Sequence, residues 1–111
     1  MLQFLPNIGH RPLNILLLGA HSDDVEIGCG GAVMSLVRTY PSARFTWVTF
    51  GADAQRAAET RAAAEQLLTG TGERSILVEG FRTSYFPHAG EALKDYFDTL
   101  KQYSPDLIFT H

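Results

Sequence analysis

Apolar residues in this chain switch between two spacings, and that switching limits the fold more than any other feature. Leu13 to Ala20 is a short, nearly continuous apolar run, as expected of a strand buried on both faces of a parallel sheet. Cys29, Ala32, Val33, Leu36, Val37 and Tyr40 follow at helical spacing, and Pro41 ends that helix. Arg44 to Phe50 is rich in aromatic and β-branched residues, which favour strands. Within it Phe45 and Trp47 alternate as core residues. Ala54 to Leu68 is alanine-rich, with Glu, Gln and Arg between, and reads as a second helix. Ser75 to Glu79 is a third strand and Gly80 to Gly90 a loop. Glu91 to Tyr103 is a third helix, ended by Pro105, and Asp106 to Thr110 is a fourth strand. The order β-α-β-α-β-α-β predicts an α/β fold, a Rossmann-like parallel sheet with alternating strands and helices. Residues 1–12 read as a loosely attached arm and residues 13–111 as the domain proper. The chain stops at His111, directly after a strand that a further helix would normally cover. The domain is therefore expected to be the N-terminal part of a longer one, truncated after the fourth strand. An uncovered last strand also points to a homo-oligomer.

Composition removes several function classes. The net charge of −3 gives no general attraction to nucleic acid or an anionic membrane. No apolar run approaches the 18 or so residues of a membrane span. Cys29 is the only cysteine, so no intrachain disulfide forms. The N-terminus lacks the basic and long apolar regions of a secretory leader. A cytoplasmic location is the expectation.

Ligands in open α/β sheets bind beyond the carboxyl ends of the strands, where strand order reverses. The first strand runs straight into His21, Ser22, Asp23, Asp24, Val25 and Glu26. A histidine and carboxylates can hold zinc through nitrogen and oxygen. In a turn, His21 and Asp24 come close enough to share an ion. Asp23, beside the ion, could take a proton from the attacking water. Each acid taken singly is better explained as a helix cap, since carboxylates satisfy free amides and complement the dipole, and only the whole cluster at a strand's carboxyl end offsets that preference. On spacing alone the two readings stand level.

The segment GAHSDDVEIGCGG, residues 19–31, resembles the opening motif of the PIG-L or LmbE-like zinc-dependent N-deacetylases, whose usual form is AHPDD. RAAETRAAAEQLL (56–68) and PDLIFTH (105–111) are similar to later parts of that family and arrive in the expected order. The resemblance covers about residues 13–111. It implies that His21 and Asp24 are metal ligands and Asp23 the general base. Glu26 matches a commonly acidic position with no role assigned. Ser22 replaces the usual proline, leaving the loop less constrained. The cofactor implied is Zn2+, with Fe2+ as the alternative. The substrate implied is a small-molecule N-acetylated amino sugar, such as an N-acetylglucosamine conjugate. The family's third ligand comes from a His-x-x-Asp-His-type motif, and no segment here matches it. His111 precedes the place of that motif and is not assigned as a ligand.

Other residues carry weaker signals. Asp53 lies between a strand and a helix and reads first as a cap, then as a substrate contact. Arg56 in a helix's first turn opposes the dipole, so it is either a ligand contact or a solvated side chain. Arg82 and Tyr85 lie in a carboxyl-end loop, where Arg can pair with phosphate and an aromatic ring can stack on a sugar. Asp53, Arg56, Arg82 and Tyr85 are thus candidate substrate-binding residues. His88 reads as a loop histidine. Gly28, Cys29, Gly30 and Gly31 do not satisfy a dinucleotide fingerprint, whose glycines follow the strand directly. They read as a helix start packed closely on the sheet, with Cys29 as a small core residue. The leading expectation is a metal-dependent hydrolase that removes an N-acetyl group, an activity of the longer parent protein, with little or none expected of these 111 residues alone. The alternatives are a non-catalytic glycan or nucleotide-sugar binding domain, and a Rossmann-type nucleotide binder.

Overall fold

The computed structural model describes residues 9–111; most of the expected N-terminal arm, residues 1–8, lies outside them. Four parallel strands form one sheet, β1 (Asn14–His21), β2 (Arg44–Gly51), β3 (Glu73–Val78) and β4 (Leu107–Phe109), in the order β3-β2-β1-β4. Between them run α1 (Asp24–Thr39), α2 (Ala54–Leu67) and α3 (Gly90–Leu100). A 3₁₀ turn over Thr83–His88 precedes α3, and a shorter one over Lys101–Tyr103 follows it. The Rossmann-like α/β fold read from the sequence is the one observed.

Two apolar layers sandwich the sheet. Leu13, Ile15, Leu17, Phe45 and Trp47 pack with Val25, Val33 and Val37 of α1 and with Ala64 and Leu68 in and beside α2. On the other face Leu16, Val48 and Phe50 pack with Leu100, Leu93 and Tyr96 of α3. Every residue of β2 except Arg44 is buried, so this strand carries apolar side chains on both faces, as central parallel strands must. The chain advances from β1 to β3 in one direction, then returns past β1 to place β4 at the opposite edge. Crossovers of one hand place helices on opposite faces when the direction reverses. That is why α3 lies across the sheet from α1 and α2. The reversal falls between β1 and β4.

Helix α1 starts at Asp24, five residues before the apolar stripe that marks it in the sequence. The glycines therefore lie inside the helix rather than at its start. Gly28 and Gly31 face open space, and a Cβ on Gly30 would only touch Leu67. Close packing on the sheet is not their reason. A close approach is required elsewhere. A Cβ on Gly19 would lie 3.1 Å from Val25 Cγ2 and 3.2 Å from Asp24 Cβ. Glycine there lets the first turn of α1 fold back onto β1.

The edge strand is tied down electrostatically. Arg11 grips Asp106 through two nitrogens, at 2.7 and 2.5 Å, and the Asn14 N–H donates to the same carboxylate at 2.9 Å. The Arg11 guanidinium, then the Asn14 amide, hold the Asp106 carboxyl down at about 2, against an ordinary 3.8. A depressed carboxyl adds stability that is complete above about pH 4 and is lost as pH falls through about 2. Replacing Asp106 by Asn should therefore flatten the acid limb of the stability profile in that interval, read by denaturant melts at stepped pH. An unchanged limb would show that the pair contributes nothing measurable.

Candidate active site

The reversal between β1 and β4 opens a crevice at their carboxyl ends, and the residues with chemistry meet there. His21 ends β1. Its backbone N–H donates to Asp24 Oδ2 at 2.7 Å, which closes the turn from strand to helix. His21 Nδ1 lies 3.5 Å from that same oxygen. From the β4 side, His111 Nε2 also lies 3.5 Å from it. The Asp24 carboxylate thus meets two imidazoles, one at the end of β1 and one two residues beyond β4. Asp24 and His111 also line a cavity of about 230 Å³ with Leu18, Val25, Cys29 and Phe109.

Asp23 occupies the N-cap position of α1, yet its side chain makes no capping hydrogen bond. Its carboxylate is exposed. Capping therefore does not account for this acid. Asp53 behaves in the opposite way: its Oδ1 accepts from the Arg56 N–H at 2.8 Å and caps α2.

Donor chemistry and spacing fit a metal at the His21–Asp24 pair. Zinc binds imidazole nitrogen and carboxylate oxygen at about 2.0–2.2 Å, so two ligands of a tetrahedral ion lie roughly 3.4 Å apart. The Nδ1–Oδ2 separation of 3.5 Å matches that span. Among the described residues, no group of three or more His, Cys, Asp or Glu is arranged to hold an ion.

Neighbouring groups shape the crevice. The His21 ring stacks on Phe86, with centroids 5.8 Å apart. Phe86 reaches that position because Gly51 lies beneath the loop; a Cβ there would fall 2.5 Å from Thr83 Cγ2 and 3.1 Å from the Phe86 ring. Burial raises the Glu26 carboxyl above its ordinary range, its own N–H opposes this, and Asp23 and Asp24 add to the rise. One Glu26 oxygen is buried without a partner. Burial, then Glu26, pushes the Cys29 thiol up, so Cys29 is a packing residue with little thiolate character.

Asp53, Arg56, Arg82 and Tyr85, picked out singly from the sequence, all line one cavity of about 400 Å³ at the carboxyl ends of β2 and β3. It adjoins the crevice, since Gly51 on its wall pairs with His21 in register. The Arg82 guanidinium lies 3.8 Å above the centre of the Tyr85 ring. One face of that ring is therefore covered by a cation. Phe86 and Thr60 are not among the candidates the sequence offers, and His111 has no assigned role there. Thr60, inside α2, donates to the Ser22 carbonyl at 2.9 Å; a threonine in an alanine-rich helix was the only local signal.

A Rossmann-like α/β domain with a His–Asp pair at its strand-order reversal belongs to the class in which loops beyond the strand ends carry the chemistry. The chain belongs to the PIG-L family: residues 16–111 match it under the description GlcNAc-PI de-N-acetylase. Membership assigns the chain a general function, that of a deacetylase-type hydrolase. Comparisons with curated proteins and with solved structures found no match. Among the described residues no helix is long and apolar enough to cross a membrane.

Proposed function

We propose that this chain supplies metal-binding and base-bearing residues of a zinc-dependent N-deacetylase acting on an N-acetylated amino sugar conjugate. The observation that carries the proposal is the His21–Asp24 pair at ligand spacing, with the unengaged Asp23 carboxylate between them in sequence. His21 and Asp24 hold the ion, Zn2+ in the first instance and Fe2+ as the alternative. When bound, the metal supplies Lewis acidity toward the amide carbonyl and lowers the pKa of water. Asp23 takes a proton from the attacking water. The water oxygen bonds to the acetyl carbon, the C–N bond breaks, and the proton passes to the departing nitrogen. Acetate and a free amine result. Arg56 and Arg82 offer N–H donors to the rest of the conjugate, and Tyr85 holds Arg82 in place from below. Asp53 serves by fixing the start of α2.

The test is metal content and acetate release, measured together on an N-acetylglucosamine conjugate. Zinc should bind, and His21→Ala should weaken it by more than the roughly 10–100-fold that loss of an outer-shell partner costs. A second reading has its own support, because Asp53, Arg56, Arg82 and Tyr85 line one cavity beside the crevice. In that reading the domain binds a glycan or nucleotide sugar without catalysis. Binding that survives a chelator, with no acetate formed, would decide for it.

A further inference from the structure

We infer that Thr60 is a positioning residue, whose hydroxyl holds the Ser22 carbonyl and thereby fixes the loop that presents His21, Asp23 and Asp24. Thr60 sits in the middle of α2, 1% exposed, where alanine would favour the helix more. A threonine hydroxyl in a helix commonly bonds back to the carbonyl four residues earlier. Two threonines of this chain do so: Thr39 donates to the Ser35 carbonyl and Thr69 to that of Glu65. Thr60 donates outside its helix instead, to the Ser22 carbonyl 38 positions away, at 2.9 Å. Ser22 lies between His21 and Asp23, where the serine lacks the fixed φ of a proline. The clamp from α2 supplies a constraint that the loop's own sequence lacks. The hydroxyl sets where the loop carbonyl lies, and the loop sets where the His21 ring and the Asp24 carboxylate meet.

The function assigned to Thr60 rests on the proposed metal site, but its structural core is testable without metal. Thr60→Ala and Thr60→Ser both delete the methyl group, and only the second keeps the hydroxyl. In the metal-free chain, exchange protection of the His21 amide, which donates to Asp24, should fall about fivefold or more in Thr60→Ala relative to that of Leu17 in β1. Thr60→Ser should retain it. Zinc affinity, measured by chelator competition, should fall about 10–100-fold in Thr60→Ala and be restored in Thr60→Ser. Equal His21 protection in the two variants would overturn the positioning role. Intact zinc affinity in Thr60→Ala would do so as well. Absence of zinc binding by the parent chain would instead defeat the proposed metal site, leaving the exchange result to decide on the clamp.

Discussion

In the full-length protein, turnover by the Asp23→Asn variant is expected to fall about 10²–10⁴-fold, the range by which a positioned general base accelerates a reaction, while zinc content stays at the parent level. The two outcomes separate because of where Asp23 sits. It precedes α1 at the N-cap without capping it, and it is not the carboxylate that meets His21. Asparagine is a good N-cap residue and keeps the shape of the side chain, so the helix and the neighbouring Asp24 stay in place. What asparagine lacks is a basic oxygen. The acid limb of the pH–rate profile should vanish with the carboxylate. Turnover within about threefold of the parent would remove Asp23 from the base role. Loss of zinc in step with turnover would make it a ligand instead.

The largest effect on stability is expected from Trp47→Ala. Trp47 is fully buried at the centre of β2, packed in the layer that α1 and α2 cover. Its indole N–H donates to Thr49 Oγ1 at 3.3 Å, and that hydroxyl is buried too. Truncating a buried tryptophan costs about 3–5 kcal/mol, against a total of about 5–15 for a domain of ordinary stability. The midpoint of urea unfolding should drop by about 1 M or more at unchanged slope. Trp47 is the only tryptophan, so circular dichroism rather than fluorescence must follow the transition. Trp47→Phe refills most of the space and should recover most of the loss. A midpoint unchanged in Trp47→Ala would mean that the sheet's centre is not packed as described.

The layered fold was legible because each element carries its own period. The apolar run before His21 and the aromatic alternation of Phe45 and Trp47 are local facts, and local burial follows from them. The start of α1 was less legible. Gly28, Gly30 and Gly31 lower helix propensity, yet Val25, Val33 and Val37 reach the core, and tertiary packing overrides the glycines. The 3₁₀ turn at Thr83–His88 was hidden for a similar reason. Its form depends on the close approach to Gly51, which belongs to another strand. The candidate site divides in the same way. His21, Asp23 and Asp24 are neighbours in sequence and could be read there. The approach of His111 to Asp24 arises only because β4 pairs with β1. The Thr60 clamp joins α2 to the loop between β1 and α1, and no periodicity encodes such a link.

The pairing of β4 with β1 also sets an order of events during synthesis. Asn14 meets the Asp106 carboxylate across 92 positions of chain. At about 5–20 residues per second, the ribosome takes several seconds to deliver the second partner after the first. Throughout that interval one edge of β1 offers open backbone groups to whatever is nearby, and His21 and Asp24 have already emerged without the β4 side of their crevice. A nascent chain of this design is open to mispairing at that edge until β4 appears.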